Sequence, residues 1–197
     1  MEYSKNWLTE QEYQNMKKAP SVKEEEGGYK YKVQKQKWRD ELLIKIMYQA
    51  GLQVSETLQL QYPFNFVSED GEGYIDLNPG GEEEVIKPAG RELVRDVSNF
   101  MTAFMDDMES NYVFNIHRST AYTTINELSN YVDIDKKVGN HTIRRSRARH
   151  LLHSEKMDIS EVSNFLGHKR ISTTIKYLGL SDKEVAKRVN NIDEVEV

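Results

Sequence analysis

The 197-residue sequence predicts a mostly α domain with a small antiparallel β-sheet, an α+β fold. Three observations point there. Apolar residues recur at helical spacing over much of the chain, the window from 64 to 88 alternates instead around the turn Asn78-Pro79-Gly80-Gly81, and helical spacing then returns. In chain order, the first 28 residues are polar, and a short helix from Thr9 leads into an exposed linker, Lys23-Glu24-Glu25-Glu26-Gly27-Gly28. Trp38, Leu42, Leu43, Ile46 and Met47 form the stripe of a helix that Gly51 stops. Ser55 is placed to cap a second short helix through Leu60. Phe64 to Val67 and Tyr74 to Leu77 read as half-buried strands, and the turn returns the chain into Val85-Ile86. Leu93, Val94, Val97, Phe100, Met101, Phe104, Met105 and Met108 then stripe one long amphipathic helix and are read as core. Further helices are expected from Ser119 to Asn130, Thr142 to His153, Ser160 to Leu166 and Ser172 to Tyr177, and Ser181-Asp182-Lys183-Glu184 opens a last one with a capping box. The domain reading is 1–28 as polar segment and linker, 29–180 as the principal domain, and 181–197 as a C-terminal helix or tail.

Composition narrows the function. Hydrophobic residues make up 38% and charged residues 30%, which fits a globular chain and neither a disordered nor a fibrous one. No apolar run reaches the roughly 18 residues of a membrane span, and the N-terminus lacks an apolar signal core, so a cytoplasmic protein with no membrane partner is expected. With no cysteine there are no disulfides and no thiolate nucleophile, leaving oxygen or nitrogen groups for any covalent chemistry. The net charge of -5 conceals a polarised distribution. Lys30, Lys32, Lys35, Lys37, Arg39 and Lys45 face only Asp40 and Glu41 between residues 29 and 49, and Lys136, Lys137, Arg144, Arg145, Arg147, Arg149 and Lys156 face only Glu155 between 136 and 156. Residues 69 to 84, by contrast, hold seven carboxylates and no cation.

Three polar clusters stand out in the second half: His141-Thr142-Ile143-Arg144, Leu166-Gly167-His168-Lys169-Arg170, and Ile171-Ser172-Thr173-Thr174-Ile175-Lys176-Tyr177. Taken singly, each has a structural reading: a helix-start histidine with a solvated arginine, a helix stop, and a packing tyrosine. On a helix, however, residues 141 and 144 lie one turn apart, and an imidazole and a guanidinium so placed converge on one anion. Together and in this order, with Leu151-Leu152 between them, the clusters resemble the C-terminal signature of the tyrosine recombinases, the phage-integrase family. The run from Leu42-Leu43-Ile44 to Ala50-Gly51-Leu52-Gln53-Val54-Ser55-Glu56-Thr57-Leu58 is similar to that family's first motif, and the resemblance covers roughly residues 38 to 180.

The resemblance implies a tyrosine-recombinase catalytic-domain fold and phosphoryl transfer on double-stranded DNA without metal or cofactor. A tyrosine hydroxyl would attack a backbone phosphate, form a 3′-phosphotyrosine and release a 5′-hydroxyl for exchange. It makes Tyr177 the nucleophile, Arg144 and His168 the donors to the phosphate oxygens, and His141 the proton acceptor. Two parts are missing. Gln53 stands where the family carries its first arginine, and a neutral amide offers no charged fork to phosphate. The lysine of the family's hairpin is also absent: alignment puts Pro79 there, with Glu82, Glu83 and Glu84 following. Lys87 is the candidate substitute, although strand alternation argues against its reaching in. The site therefore reads as degenerate, which fits a pseudo-enzyme kept for DNA binding, an active enzyme using Lys87 or Arg145 instead, or an exchange at residue 53 that freezes the protein.

DNA contacts are expected from Lys30, Lys32, Lys35, Lys37, Arg39, Arg145, Arg147, Arg149, Lys169 and Arg170, with affinity that falls as salt rises. The sequence before residue 38 leaves no room for the separate N-terminal clamping domain most recombinases carry, so the grip is expected to be weaker or shared with a partner recombinase or accessory protein. The tail from Ser181, with Val185 and Val189 as its apolar stripe, matches the segment that family members exchange between neighbours, which implies self-association on DNA. Such a protein would sit with nucleoid or mobile-element DNA. The alternative is a protein-interaction or regulatory module that reuses the fold, favoured by the acidic hairpin. A metal hydrolase built on His141, His153 and His168 is disfavoured because no carboxylate completes its ligand set.

Overall fold

A computed structural model describes residues 6–107, 110–154, 157–181 and 184. The chain divides into two compact units, residues 1–147 and 148–197.

In the first unit, helix α1 (Glu10–Glu25) opens with a reciprocal cap: the Glu12 N–H donates to Thr9 Oγ1 and the Thr9 N–H to Glu12 Oε2. It is longer and more deeply embedded than the sequence suggests. Leu8, Tyr13, Met16 and Ala19 are buried in the main core, and Tyr13 stacks on Tyr48 with ring centroids 3.4 Å apart. The expected linker begins as the last turn of this helix. Lys23 is buried there, its ammonium 4.5 Å from the Tyr29 ring centre and 3.1 Å from Glu127, so the charged run conceals a packed cation.

Helix α2 (Val33–Gln49) starts ahead of Trp38 and stops at Gly51, whose φ of +60° breaks the helical path where the sequence places the stop. Helix α3 (Val54–Leu58) follows, capped by Gln53 rather than Ser55. Strands β1 (Phe66–Glu69), β2 (Glu72–Asp76) and β3 (Ile86–Pro88) form an antiparallel sheet in that order, with Phe66 opposite Ile75 and Ile75 opposite Lys87. The first strand begins later than Phe64 because the Asn65 side chain closes the preceding turn. It accepts from the Gln61 N–H at 2.7 Å and donates to the Asp76 carbonyl at 2.6 Å, leaving Phe64 exposed. Helix α4 (Arg91–Ala103) buries Leu93, Val97, Phe100 and Met101, then gives way to a single 3₁₀ turn. The long stripe therefore ends early: Met105, read as core, is 68% exposed, and Met108 lies outside the described residues. Helix α5 (Arg118–Asn130) adds Ala121, Ile125 and Leu128 to the same core. Helix α6 (Asn140–His153) adds Ile143, and its Ser146 Oγ accepts from the Leu8 N–H at 2.7 Å.

The second unit has its own small core of Ala148, Leu151, Leu152, Val162, Leu166 and Leu178, against which Tyr177 packs. Asp158 caps helix α7 (Ile159–Leu166) by accepting from the Ser160 and Glu161 N–H groups. Helix α8 (Ile171–Leu178) ends at Gly179. The capping box at Ser181 is formed, the Ser181 N–H donating to Glu184 Oε2 and the Glu184 N–H to Ser181 Oγ. The tail with Val185 and Val189 lies outside the described residues. Among the described residues no helix is long and apolar enough to cross a membrane.

Candidate active-site residues

In the first unit, the end of α2, the start of α3, strand β3 and helix α6 place four of the expected groups. Arg144 is 4% exposed, and its Nη1 donates to the Gly51 carbonyl and lies 3.4 Å from Glu56 Oε2. The same Glu56 Oε2 accepts the Gln53 N–H at 2.6 Å and so fixes the first turn of α3. One carboxylate thus links the backbone at position 53 to the guanidinium at position 144. In the sequence Glu56 is part of a motif with no role of its own, and the structure supplies one: it holds a buried arginine in a fixed orientation. Gln53 itself is exposed at the head of α3.

Lys87 corrects the expectation from strand alternation. Ile86 and Pro88 are exposed and Lys87 is 8% exposed, because its register opposite Ile75 turns it to the buried face of the sheet. Burial, and then the positive charge of Arg144, hold its ammonium below the ordinary lysine range, while Glu56 acts in the opposite sense. A lysine so placed is a readier proton donor than a solvated one. The hairpin turn carries no such group: Pro79, Glu82, Glu83 and Glu84 are all exposed.

His141 stands one turn before Arg144 at the start of α6. Burial, followed by the charges of Arg118, Arg145 and Arg144, holds its imidazole below the ordinary range, so at neutral pH it is uncharged and able to take a proton.

In the second unit, His168 and Tyr177 are brought together. Gly167 takes φ +67° to end α7, and the His168 N–H then bonds to the Ser163 carbonyl at 2.9 Å. His168 Nδ1 lies 2.9 Å from the hydroxyl of Thr174, a fully buried residue of α8. The His168 and Tyr177 rings meet edge to face, 5.5 Å between centroids and 86° between planes. Thr174 is the orienting residue that sequence reasoning passes over, although it lies three residues before Tyr177, one helical turn away on the same face.

The basic windows are less available than the sequence suggests. Lys32 pairs with Asp107 at 2.6 Å, Lys35 donates to the Asp107 carbonyl, and Lys37 pairs with Glu24 at 2.6 Å. Arg39 grips Asp40, a fully buried carboxylate that also accepts from the Tyr29 hydroxyl. Arg145 donates to the Asn6 carbonyl, and Arg147 lies 5.3 Å over the Tyr48 ring. Arg149 is 7% exposed and bonds to the Leu178 carbonyl and Glu184, a structural assignment in place of the expected DNA contact. Lys30, Lys169 and Arg170 are exposed.

The sequence profile of the phage integrase family matches residues 6–184. A tyrosine recombinase of Pseudothermotoga lettingae is 30% identical over 159 residues, 78% of this chain and 54% of that protein. The tyrosine recombinase XerD of Staphylococcus saprophyticus is 26% identical over 164 residues, with the same coverage. The chain thus spans about half the length of these relatives. Among solved structures, XerA recombinase superposes with a TM-score of 0.69 at 21% identity, over 94% of this chain and 62% of that one. XerH site-specific recombinase, in a post-cleavage complex with its difH substrate, gives 0.70 at 19% identity, over 93% and 52%. With nearly its whole length matched by the family profile and with this mostly helical, three-stranded fold, the chain belongs to the phage integrase family of tyrosine recombinases.

Proposed function

We propose that this chain is a DNA strand cleavage and rejoining domain whose first arginine has been lost and whose leaving-group acid has moved from the hairpin turn to Lys87. Tyr177 Oη attacks the phosphorus of a backbone phosphodiester and gives its proton to His141. The 5′-oxygen leaves with a proton from Lys87, and the 3′-phosphotyrosine that remains conserves the bond for rejoining. Arg144 and His168 donate to the non-bridging oxygens. The observation that carries the reading is the inward position of Lys87, buried on β3 under the influence of Arg144 and Glu56. Gln53 slows this chemistry without removing a proton donor or acceptor from it. Relatives solved on DNA, XerH and lambda integrase among them, support double-stranded DNA as the substrate. Self-association on that DNA, through the segment after Ser181, belongs to the same proposal.

The test is to incubate the chain with sheared DNA, wash in SDS and look for DNA still attached, with Tyr177→Phe as control. An adduct absent from the control supports cleavage, and DNA held before the wash but never after it refutes cleavage and leaves a binding protein. The exposed acidic hairpin and the internally paired cations of α2 favour a second reading, a protein-interaction module. Retention on heparin at moderate salt separates the two, since a DNA reader is held and such a module flows through.

A further inference from the structure

A cavity of about 730 Å³ in the first unit opens between the starts of α5 and α6, and His141, the proposed proton acceptor, is among the residues that line it. We propose that it is a nucleotide subsite: the base lies on Tyr122 with a donor edge toward Asn140, and the phosphate lies among Arg118, Lys137 and the starts of the two helices. The nucleotide is either an unpaired one in the DNA substrate or a free mononucleotide.

Four features converge. Asn140 lines the cavity, is 8% exposed, and its Oδ1 has no hydrogen-bond partner among the described residues. A buried acceptor left unmet is costly, and an N–H on a ligand would satisfy it, which a bare phosphate cannot do. Tyr122 is 36% exposed, and its ring is braced by the backbone of Gly139, where an added Cβ would lie 2.9 Å from the ring. A braced ring is a stacking platform for any base. The walls are cationic. Lys137 lies 5.8 Å from the Tyr122 centroid, Arg118 is exposed, and among the described residues Lys136 is the one of the three paired with a carboxylate, Glu12 at 2.7 Å. Finally, neither helix carries an acid in its first turn, and His117, the cap residue of α5, makes no side-chain bond to that turn, so the start of α5 and the dipoles of both helices favour an anion. The volume suits a ligand of nucleotide size.

For a nucleotide carried by the strand, the inference rests on the DNA reading above; for a free one it does not. The full chain is titrated by fluorescence anisotropy with a fully paired duplex and with the same duplex carrying one bulged nucleotide, and by calorimetry with dAMP, dCMP, dGMP and dTMP. A strand-borne nucleotide gives a preference for the bulge of about tenfold or more, falling to within about twofold in Tyr122→Ala and in Asn140→Ala. A free nucleotide gives heat with at least one monophosphate that the same variants abolish, even if neither duplex binds. Asn140→Ala removes an unpaired polar atom and is expected to melt no earlier than the wild type, and Tyr122→Leu serves as a second, surface-compatible variant. Equal affinity for both duplexes together with no heat from any monophosphate overturns the proposal, as does a bulge preference that survives all three substitutions.

Discussion

Gln53→Arg is the most informative single change. The substitution keeps what holds the backbone at this position, the Gln53 N–H bonded to Glu56 and its carbonyl accepting from Thr57. It adds a cation at the head of a five-residue helix whose Glu56 lies 3.4 Å from Arg144. Placing that charge at a helix N-terminus costs about 0.3–1 kcal/mol, partly offset by Glu56 in the first turn. Because residue 53 is exposed, the new guanidinium remains solvated and incurs little of the desolvation that Lys87 bears. Against that cost stands one preorganised donor to a developing phosphate charge, worth about 3 kcal/mol or two to three orders of magnitude in rate. The net expectation is a fold weakened by less than about 1 kcal/mol and a cleavage rate raised about a hundredfold. The assay is single-turnover formation of the SDS-resistant complex on a nicked half-site, with urea unfolding as the control for folding. An intact fold with an unchanged rate would refute the idea that position 53 faces the phosphate.

Other expectations follow from the same geometry. Lys87→Met should leave DNA affinity within a few-fold and slow cleavage by about 10²–10⁴; a substrate whose 5′ leaving atom is sulfur, which needs no acid, should recover most of that loss. Glu56→Ala should cost about 2 kcal/mol in urea unfolding through lost cap and lost partner for Arg144, and Glu56→Gln about half that because the amide oxygen still accepts from residue 53. For His141 the folded pKa lies below the ordinary 6.5, so the cleavage rate should hold as pH falls to that value and drop only below it. Since the unfolded imidazole takes its proton first, fold stability also declines as pH falls through 6.5, and a rate already halved at or above 6.5 would contradict the assignment. Finally, Lys169→Ala and Arg170→Ala should each flatten the salt dependence of DNA affinity by about one unit of log-log slope, whereas Arg149→Ala should leave the slope unchanged and destabilise its unit.

Much of the fold was legible because its signals are local. The stop at Gly51, the starts of α6 and α8 to within two residues, and the cap at Ser181 all follow from spacing and side-chain chemistry within a few positions. His141, Arg144, His168 and Tyr177 drew attention for the same reason, as short motifs whose order resembles the family's, and their proposed roles rest on that resemblance. What escaped is long-range. Lys87 faces inward because of its register opposite Ile75, and a single strand read alone does not reveal which parity is buried. The cations of α2 look free in sequence because Glu24 and Asp107 are far from them along the chain. Helix α1 looks peripheral because its few apolar residues, Tyr13, Met16 and Ala19, are diluted by charges that sit on its outer side or, like Lys23, bury their stems.

Gly51 ties two properties of the chain to one residue. Its left-handed backbone ends α2, and its carbonyl is an acceptor that holds Arg144. A main-chain oxygen cannot be exchanged for another group by substitution, so the anchor is indifferent to side-chain chemistry and sensitive only to the path of the turn. Any L-residue at position 51 would resist that path, moving the helix end and the guanidinium in the same step. Helix termination and the orientation of Arg144, the proposed phosphate donor, are therefore mutationally coupled: drift at Gly51 degrades both together, whereas drift at Gln53 leaves the turn intact.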